Sequence, residues 1–176
     1  MEAMRTHLAA RGLDPARYRG VFVSDDSVTF ALWNLSGQMV GYQTYRPDRP
    51  KAHDGDPREQ RYFTFVSRYG ARTPELAVWG LETAQAGSPL FLCEGVFDAC
   101  KLHSLGLSCV ATLGSDPKPL RQWLACLPQL TVAVCDGDAA GRKLAKFANQ
   151  VVYLPEGKDA GDLAEQDLRN ALASYL

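Results

Sequence analysis

The residues best equipped for chemistry in this chain are carboxylates, and they recur at one kind of position. Glu94 follows the apolar run Leu90–Cys93 and precedes Gly95. Asp136 and Asp138 follow Thr131–Cys135 in the order Asp-Gly-Asp, and Asp159 follows Val151–Leu154 after a short loop containing Gly157. Carboxylates gathered at one rim repel one another unless a cation neutralises them. Hard oxygen donors of this kind suit Mg2+ or Mn2+, which keep some of their water and are held jointly with substrate phosphates. Two aspartates at i and i+2 can face one side of an extended segment, and the glycine between them lets the backbone turn closely. Asp98 or Asp162 taken alone reads as a helix N-cap, worth ~1 kcal/mol. Capping does not account for Glu94, Asp136 and Asp138 together, because Glu is a poor N-cap and one helix needs only one.

The elements that must position these groups are legible from Pro89 onward. Four short apolar runs, at 89–93, 108–112, 130–135 and 151–154, alternate with amphipathic stretches. The stretches are FDACKLHSLG, KPLRQWLACL and AAGRKLAKFANQ, with a closing DLAEQDLRNALASYL that has Asp159 or Asp162 near its start. That alternation predicts βαβ units and a parallel sheet covered by helices. Ligands of such sheets bind beyond the carboxyl ends of the strands, which is where all the acidic positions fall.

The first half has another texture. MEAMRTHLAARG predicts a short helix ending at Gly12, and residues 21–47 are strand-like pieces with a hairpin turn at Asn34–Gly37. A polar Pro- and Asp-rich loop covers 47–60, and RYFTFV (61–66) reads as a further strand. The expected organisation is a small, mostly antiparallel α+β subdomain over 1–85 and an α/β domain over 86–176, joined near Glu82–Pro89.

Composition narrows the function. The chain has 176 residues, 46% apolar and 22% charged, an ordinary globular balance. There is no signal peptide and no run approaching the ~18 apolar residues of a membrane span. Five cysteines without metal-binding spacing, mostly inside apolar runs, read as buried thiols in a reducing compartment. The net charge of −1 does not by itself indicate a polyanion binder. Between Tyr42 and Arg72, however, seven basic residues stand against four acidic ones. Six of the seven are Arg, which suits bidentate phosphate contact, and Tyr42, Tyr45, Tyr62 and Phe63 are interleaved as candidates to stack on bases.

LCEGVFDACKL and VCDGDAAGRKLA resemble the Glu-Gly and Asp-x-Asp motifs of the Toprim domain, and YLPEGKDAGDL resembles the segment after the next strand in bacterial-type primases. HLAARGLD, VTFALWNLSGQMVGYQTYRP, QRYFTF and VWGLETA are similar to the basic subdomain that precedes Toprim in bacterial and phage-type primases. The resemblance spans nearly the whole chain. It implies a primase catalytic core that joins ribonucleotides on a single-stranded DNA template, in the cytoplasm of a bacterial cell or a phage-infected host. Glu94, Asp136 and Asp138 would be catalytic, and Asp159 would join them in holding Mg2+ or Mn2+. Arg46, Lys51, Arg61, Arg142, Lys143 and Lys158 would bind template or nucleoside triphosphate. The zinc-binding and helicase domains of such primases are expected to be missing, and so to be partners on other polypeptides. Two other readings stay open on these residues. One is a Toprim nuclease using the same metal cluster; the other is a non-catalytic nucleic-acid-binding regulator.

Overall fold

The computed structural model describes residues 1–52, 54–69, 73–74, 76–137 and 141–176. They form two compact units, Met1–Trp79 and Gly80–Leu176.

In the first unit, helix α1 (Glu2–Ala10) buries Met4 and Leu8, one turn apart, and stops before Gly12 at φ +78°. Strands β1 (Val21–Val23), β2 (Val28–Trp33), β3 (Met39–Tyr45) and β4 (Tyr62–Val66) pair in sequence order as an antiparallel sheet. The β2–β3 turn is the expected one. Asn34 Oδ1 accepts the N–H groups of Ser36 and Gln38, and Gly37 takes φ +74°. Alternation along β2 sends Val28, Phe30 and Leu32 into the core, all fully buried. There Trp79 packs edge-on to Phe30 and against Tyr18. Among the described residues of 47–60 the helical piece is one 3-10 turn, Pro57–Glu59. A short bridge joins β5 (Arg68–Tyr69) to β6 (Thr73–Pro74).

The second unit is α/β as expected. Strands β7 (Leu90–Cys93), β8 (Ser108–Ala111), β9 (Thr131–Cys135) and β10 (Gln150–Tyr153) form a wholly parallel sheet in the order β10-β9-β7-β8. Every residue of the first three strands is buried, as uninterrupted apolar runs require when helices cover both faces. The helices are α2 (Val96–Ser104), α3 (Arg121–Cys126), α4 (Gly141–Leu144) and α5 (Glu165–Ala171). Two differ from expectation. A 3-10 turn at Ala145–Phe147 replaces the rest of the third helix. The last helix starts at Glu165, because Asp159 and Asp162 form a turn of their own in which Asp159 Oδ1 accepts the Asp162 N–H. Cys93, Cys100, Cys109 and Cys135 are buried free thiols, while Cys126 is exposed. His103 is a core residue whose Nε2 lies 2.9 Å from the Cys109 carbonyl and 3.0 Å from Thr83 Oγ1. Among the described residues no helix is long and apolar enough to cross a membrane.

Candidate active site

Strands β7 and β9 are neighbours, with Leu92 opposite Ala133. Glu94 and Asp136, each one residue beyond its strand, are therefore delivered to adjacent points on the carboxyl rim. Strand β10 pairs with β9 on the other side, Tyr153 opposite Cys135, and leads into the loop that carries Asp159. The backbone of the rim is tightly held. The Leu113 N–H donates to the Glu94 carbonyl at 2.9 Å, and Leu113 itself takes φ +62°. A leucine rarely occupies that left-handed region, at a cost of order 1–3 kcal/mol.

Two glycines are set by close approach of backbone. A Cβ on Gly137 would lie 2.8 Å from the Leu154 carbonyl oxygen and 2.9 Å from Glu156 Cα. One on Gly141, at the start of α4, would lie 2.2 Å from the Asp136 carbonyl oxygen. The glycine of Asp-Gly-Asp thus seats the Asp136 segment against the β10 loop, which a local turn argument does not foresee.

The carboxylates sense one another. Loss of hydration raises the Asp98 carboxyl to about 7, and the nearby charges of Asp159 and Asp136 add to the rise; donated N–H groups of Gly161 and Gly95 pull it back. The Cys135 thiol is raised to about 12 by burial first, then by Glu94 and Asp136. Negative charge is therefore concentrated where β7, β9 and β10 end. Asp98 does more than cap α2. One oxygen accepts the Gly95 N–H at 3.0 Å, and the other accepts the Gly161 N–H at 2.9 Å, 63 residues away. It thereby ties the turn after Glu94 to the loop of Asp159, a link that spacing in sequence does not announce.

The donor chemistry of Glu94, Asp136 and Asp159, carboxylate oxygens after the ends of parallel strands, fits a hard divalent cation. Among the described residues no three His, Cys, Asp or Glu side chains come together as a complete metal-binding group. Asp138 lies outside the described residues. Arg142 and Lys143 are exposed on α4, and Lys158 is exposed beside Asp159.

In the first unit, Arg46 follows β3 and Arg61 precedes β4, and the Arg46 N–H donates to the Arg61 carbonyl at 2.8 Å. Both side chains are braced on loop carbonyls, Arg46 Nη1 on Arg58 and Arg61 Nε on Arg49. Lys51 is exposed in the same loop. Among the described residues none of these three makes an ion pair, whereas Arg49 and Arg58 are paired with Glu59 and Asp56. Arg72 lies outside the described residues. One expectation is corrected. Tyr45 does not present its ring for stacking: it is 3% exposed, its hydroxyl 3.0 Å from His7 Nε2 and 3.3 Å from the Arg11 guanidinium that donates to it. Tyr62 is half-buried on the same side and also accepts from Arg11. Tyr42 lies three residues before Tyr45 in β3, so it faces the opposite side of the sheet.

No family model matches the chain, and no curated protein matches it in sequence. Solved structures do. The Aquifex aeolicus primase, zinc-binding and RNA polymerase domains, aligns with a TM-score of 0.70 at 20% identity, over 99% of this chain and 56% of that one. The RNA polymerase domain of Mycobacterium tuberculosis primase aligns at 0.60 and 22% identity, over 96% and 62%. A primase catalytic domain bound to single-stranded DNA aligns at 0.57 and 18% identity, over 98% and 61%. The chain spans about three-fifths of the length of these structures. An antiparallel sheet followed by a Toprim-like parallel sheet, aligned with them along nearly its whole length, gives this chain the fold of a primase catalytic core.

Proposed function

We propose that the chain is the catalytic core of a DNA primase, building short RNA primers on single-stranded DNA from nucleoside triphosphates. The observation that supports this reading is that Glu94, Asp136 and Asp159 each follow one of three adjacent parallel strands of a primase-type fold, with the charges of Asp159 and Asp136 felt at Asp98 and those of Glu94 and Asp136 at Cys135. In nucleotidyl transfer the primer 3′-hydroxyl attacks the α-phosphate of the incoming nucleotide and pyrophosphate leaves. Bound Mg2+ or Mn2+ would lower the hydroxyl's pKa and neutralise the leaving charge. Asp136 and Asp138, with Asp159, are the residues to hold it. Glu94 sits at the neighbouring strand end as a further ligand or as the general base. Arg142 and Lys143 on α4 and Lys158 on the loop after β10 offer exposed cations suited to a triphosphate. Arg46, Lys51 and Arg61, which make no ion pair among the described residues, offer cations at one end of the β3–β4 hairpin, suited to the template backbone. Buried free thiols agree with a cytoplasmic setting.

The test is incubation with single-stranded DNA, labelled ribonucleotides and Mg2+ or Mn2+. Short labelled products that disappear in Asp136→Ala are expected, with a loss of at least 100-fold, about 2.7 kcal/mol of transition-state stabilisation. Degradation of the input strand without synthesis would make the protein a nuclease. Binding without either product, even when zinc-binding and helicase partners are added, would make it a non-catalytic binder.

A further inference from the structure

We propose that the solvent face of the antiparallel sheet β1–β4 is a stacking platform for the bases of single-stranded DNA, with Phe22, Tyr42, Phe63 and Phe65 as its rings. The register places them together. Phe22 pairs with Thr29, Thr29 with Thr44 and Thr44 with Phe63, while Tyr42 pairs with Phe65. Directly paired residues share a face, and residues two apart along a strand share it too, so all four rings lie on one side. The Thr29 and Thr44 hydroxyls, 3.3 Å apart, confirm the side. The opposite side is the core face that buries Phe30 and Tyr45.

Two of these rings stand open to solvent. Phe22 is 64% exposed and Phe65 48%, and Tyr42 and Phe63 are half-buried. Tyr42 stacks on Phe65 with ring centroids 5.5 Å apart and lies 6.1 Å from Phe63. Phe22 stands at the other end of the row, three strand spacings or ~14 Å from Phe63, with two threonines between. Separated planar rings with small polar residues between them suit discrete flat groups better than a continuous apolar helix or a second protein core.

Charge selects the occupant. The exposed guanidinium of Arg19 lies 4.1 Å from the ring centroid of Trp33, which continues the same face of β2, and makes no ion pair among the described residues. None of the paired residues along the face is acidic. An aromatic face with a cation at its margin and no acidic residue among its paired positions suits a strand that carries both bases and phosphates. The choice of DNA rests on the primase reading.

The experiment measures fluorescence anisotropy of a labelled twelve-residue oligothymidylate and of an abasic strand with the same phosphates. Wild type, Phe22→Ala, Phe65→Ala and the double variant are compared at fixed salt. Both side chains are exposed, so the fold is retained, which circular dichroism checks. Wild type should bind the thymidylate more tightly than the abasic strand. Each substitution should weaken thymidylate binding about five- to twentyfold and leave abasic binding unchanged. Equal affinity of wild type for the two strands, or thymidylate binding unchanged in the double variant, overturns the proposal. So does sedimentation showing a dimer that the double variant dissociates, since a second copy would then be the occupant. Primer synthesis is scored separately. Primers from wild type with unaltered binding by the variants would sink the platform and leave the primase reading standing; no primers with weakened variant binding would do the reverse.

Discussion

Asp98 holds a backbone N–H on each carboxylate oxygen and sits in the negative field of Asp136 and Asp159. The hydrogen bonds favour its ionised form, while desolvation and the neighbouring charges favour the protonated one, and the latter win: its carboxyl titrates near 7. In the unfolded chain it would titrate near 4. Below pH ~4 both states carry the proton, so the contribution to stability is fully present. Between about 4 and 7 the folded chain keeps a proton the unfolded chain has released, and that contribution is lost as pH rises through the folded value. In EDTA, the thermal midpoint of wild type should therefore fall across this window relative to that of Asp98→Asn, whose side chain does not ionise. Thermal melts of the two proteins at half-unit pH steps check this. A constant difference between the two curves would mean that Asp98 is ionised throughout. Asp98→Ala, which leaves both N–H groups without their acceptor, should be the less stable variant by about 1–3 kcal/mol.

Above single residues, the rim depends on how closely elements approach. Helix α4 begins against the Asp136 backbone, and the Asp136–Gly137 segment lies on the β10 loop, with no room for a methyl group at Gly141 or Gly137. Gly141→Ala and Gly137→Ala should each destabilise the protein by about 1–3 kcal/mol and displace Asp136. Gly114→Ala, which meets nothing within 4 Å, should stay within about 0.5 kcal/mol of wild type. Urea midpoints of the three variants decide it, and equal midpoints would show that the loops give way freely. The parallel sheet and its acidic rim were legible in sequence because buried strands and amphipathic helices have different periods, and the carboxylates stand where the period changes. Three features were not. The Asp98 link to Gly161 joins residues 63 positions apart, and no local pattern encodes it. Gly137 answers to backbone arriving from residues 154–156. The burial of Tyr45 follows from strand parity relative to Tyr42; that signal was present in the alternation but was obscured by reading the aromatics as a set. The same parity points to Phe22 and Phe65, which charge and composition left unremarked.

At the scale of the whole molecule, a net charge of −1 has to be reconciled with the polyanionic template proposed above. The reconciliation lies in distribution. In the proposed reading the second unit offers acids at the ends of its parallel strands, where a divalent cation would reverse their sign, and in the first unit Arg46, Lys51 and Arg61 make no ion pair among the described residues, beside Arg49 and Arg58, which are neutralised by Glu59 and Asp56. If those three cations contact phosphates, each releases condensed counterions on binding, and single-stranded DNA affinity should fall with salt at a slope near 0.7 per contact. Arg46→Gln, Lys51→Gln and Arg61→Gln should each flatten the plot of log affinity against log salt by about that amount, and the triple variant by about 2. Glutamine keeps an N–H at the position from which Arg61 Nε braces the Arg49 carbonyl, and circular dichroism of each variant shows that the change reports charge and not loop collapse. Lys118→Gln is the control: its ammonium is already paired with Asp116, and its slope should match wild type. If Lys118→Gln flattened the plot as much as the other three, net charge and not its arrangement would govern binding.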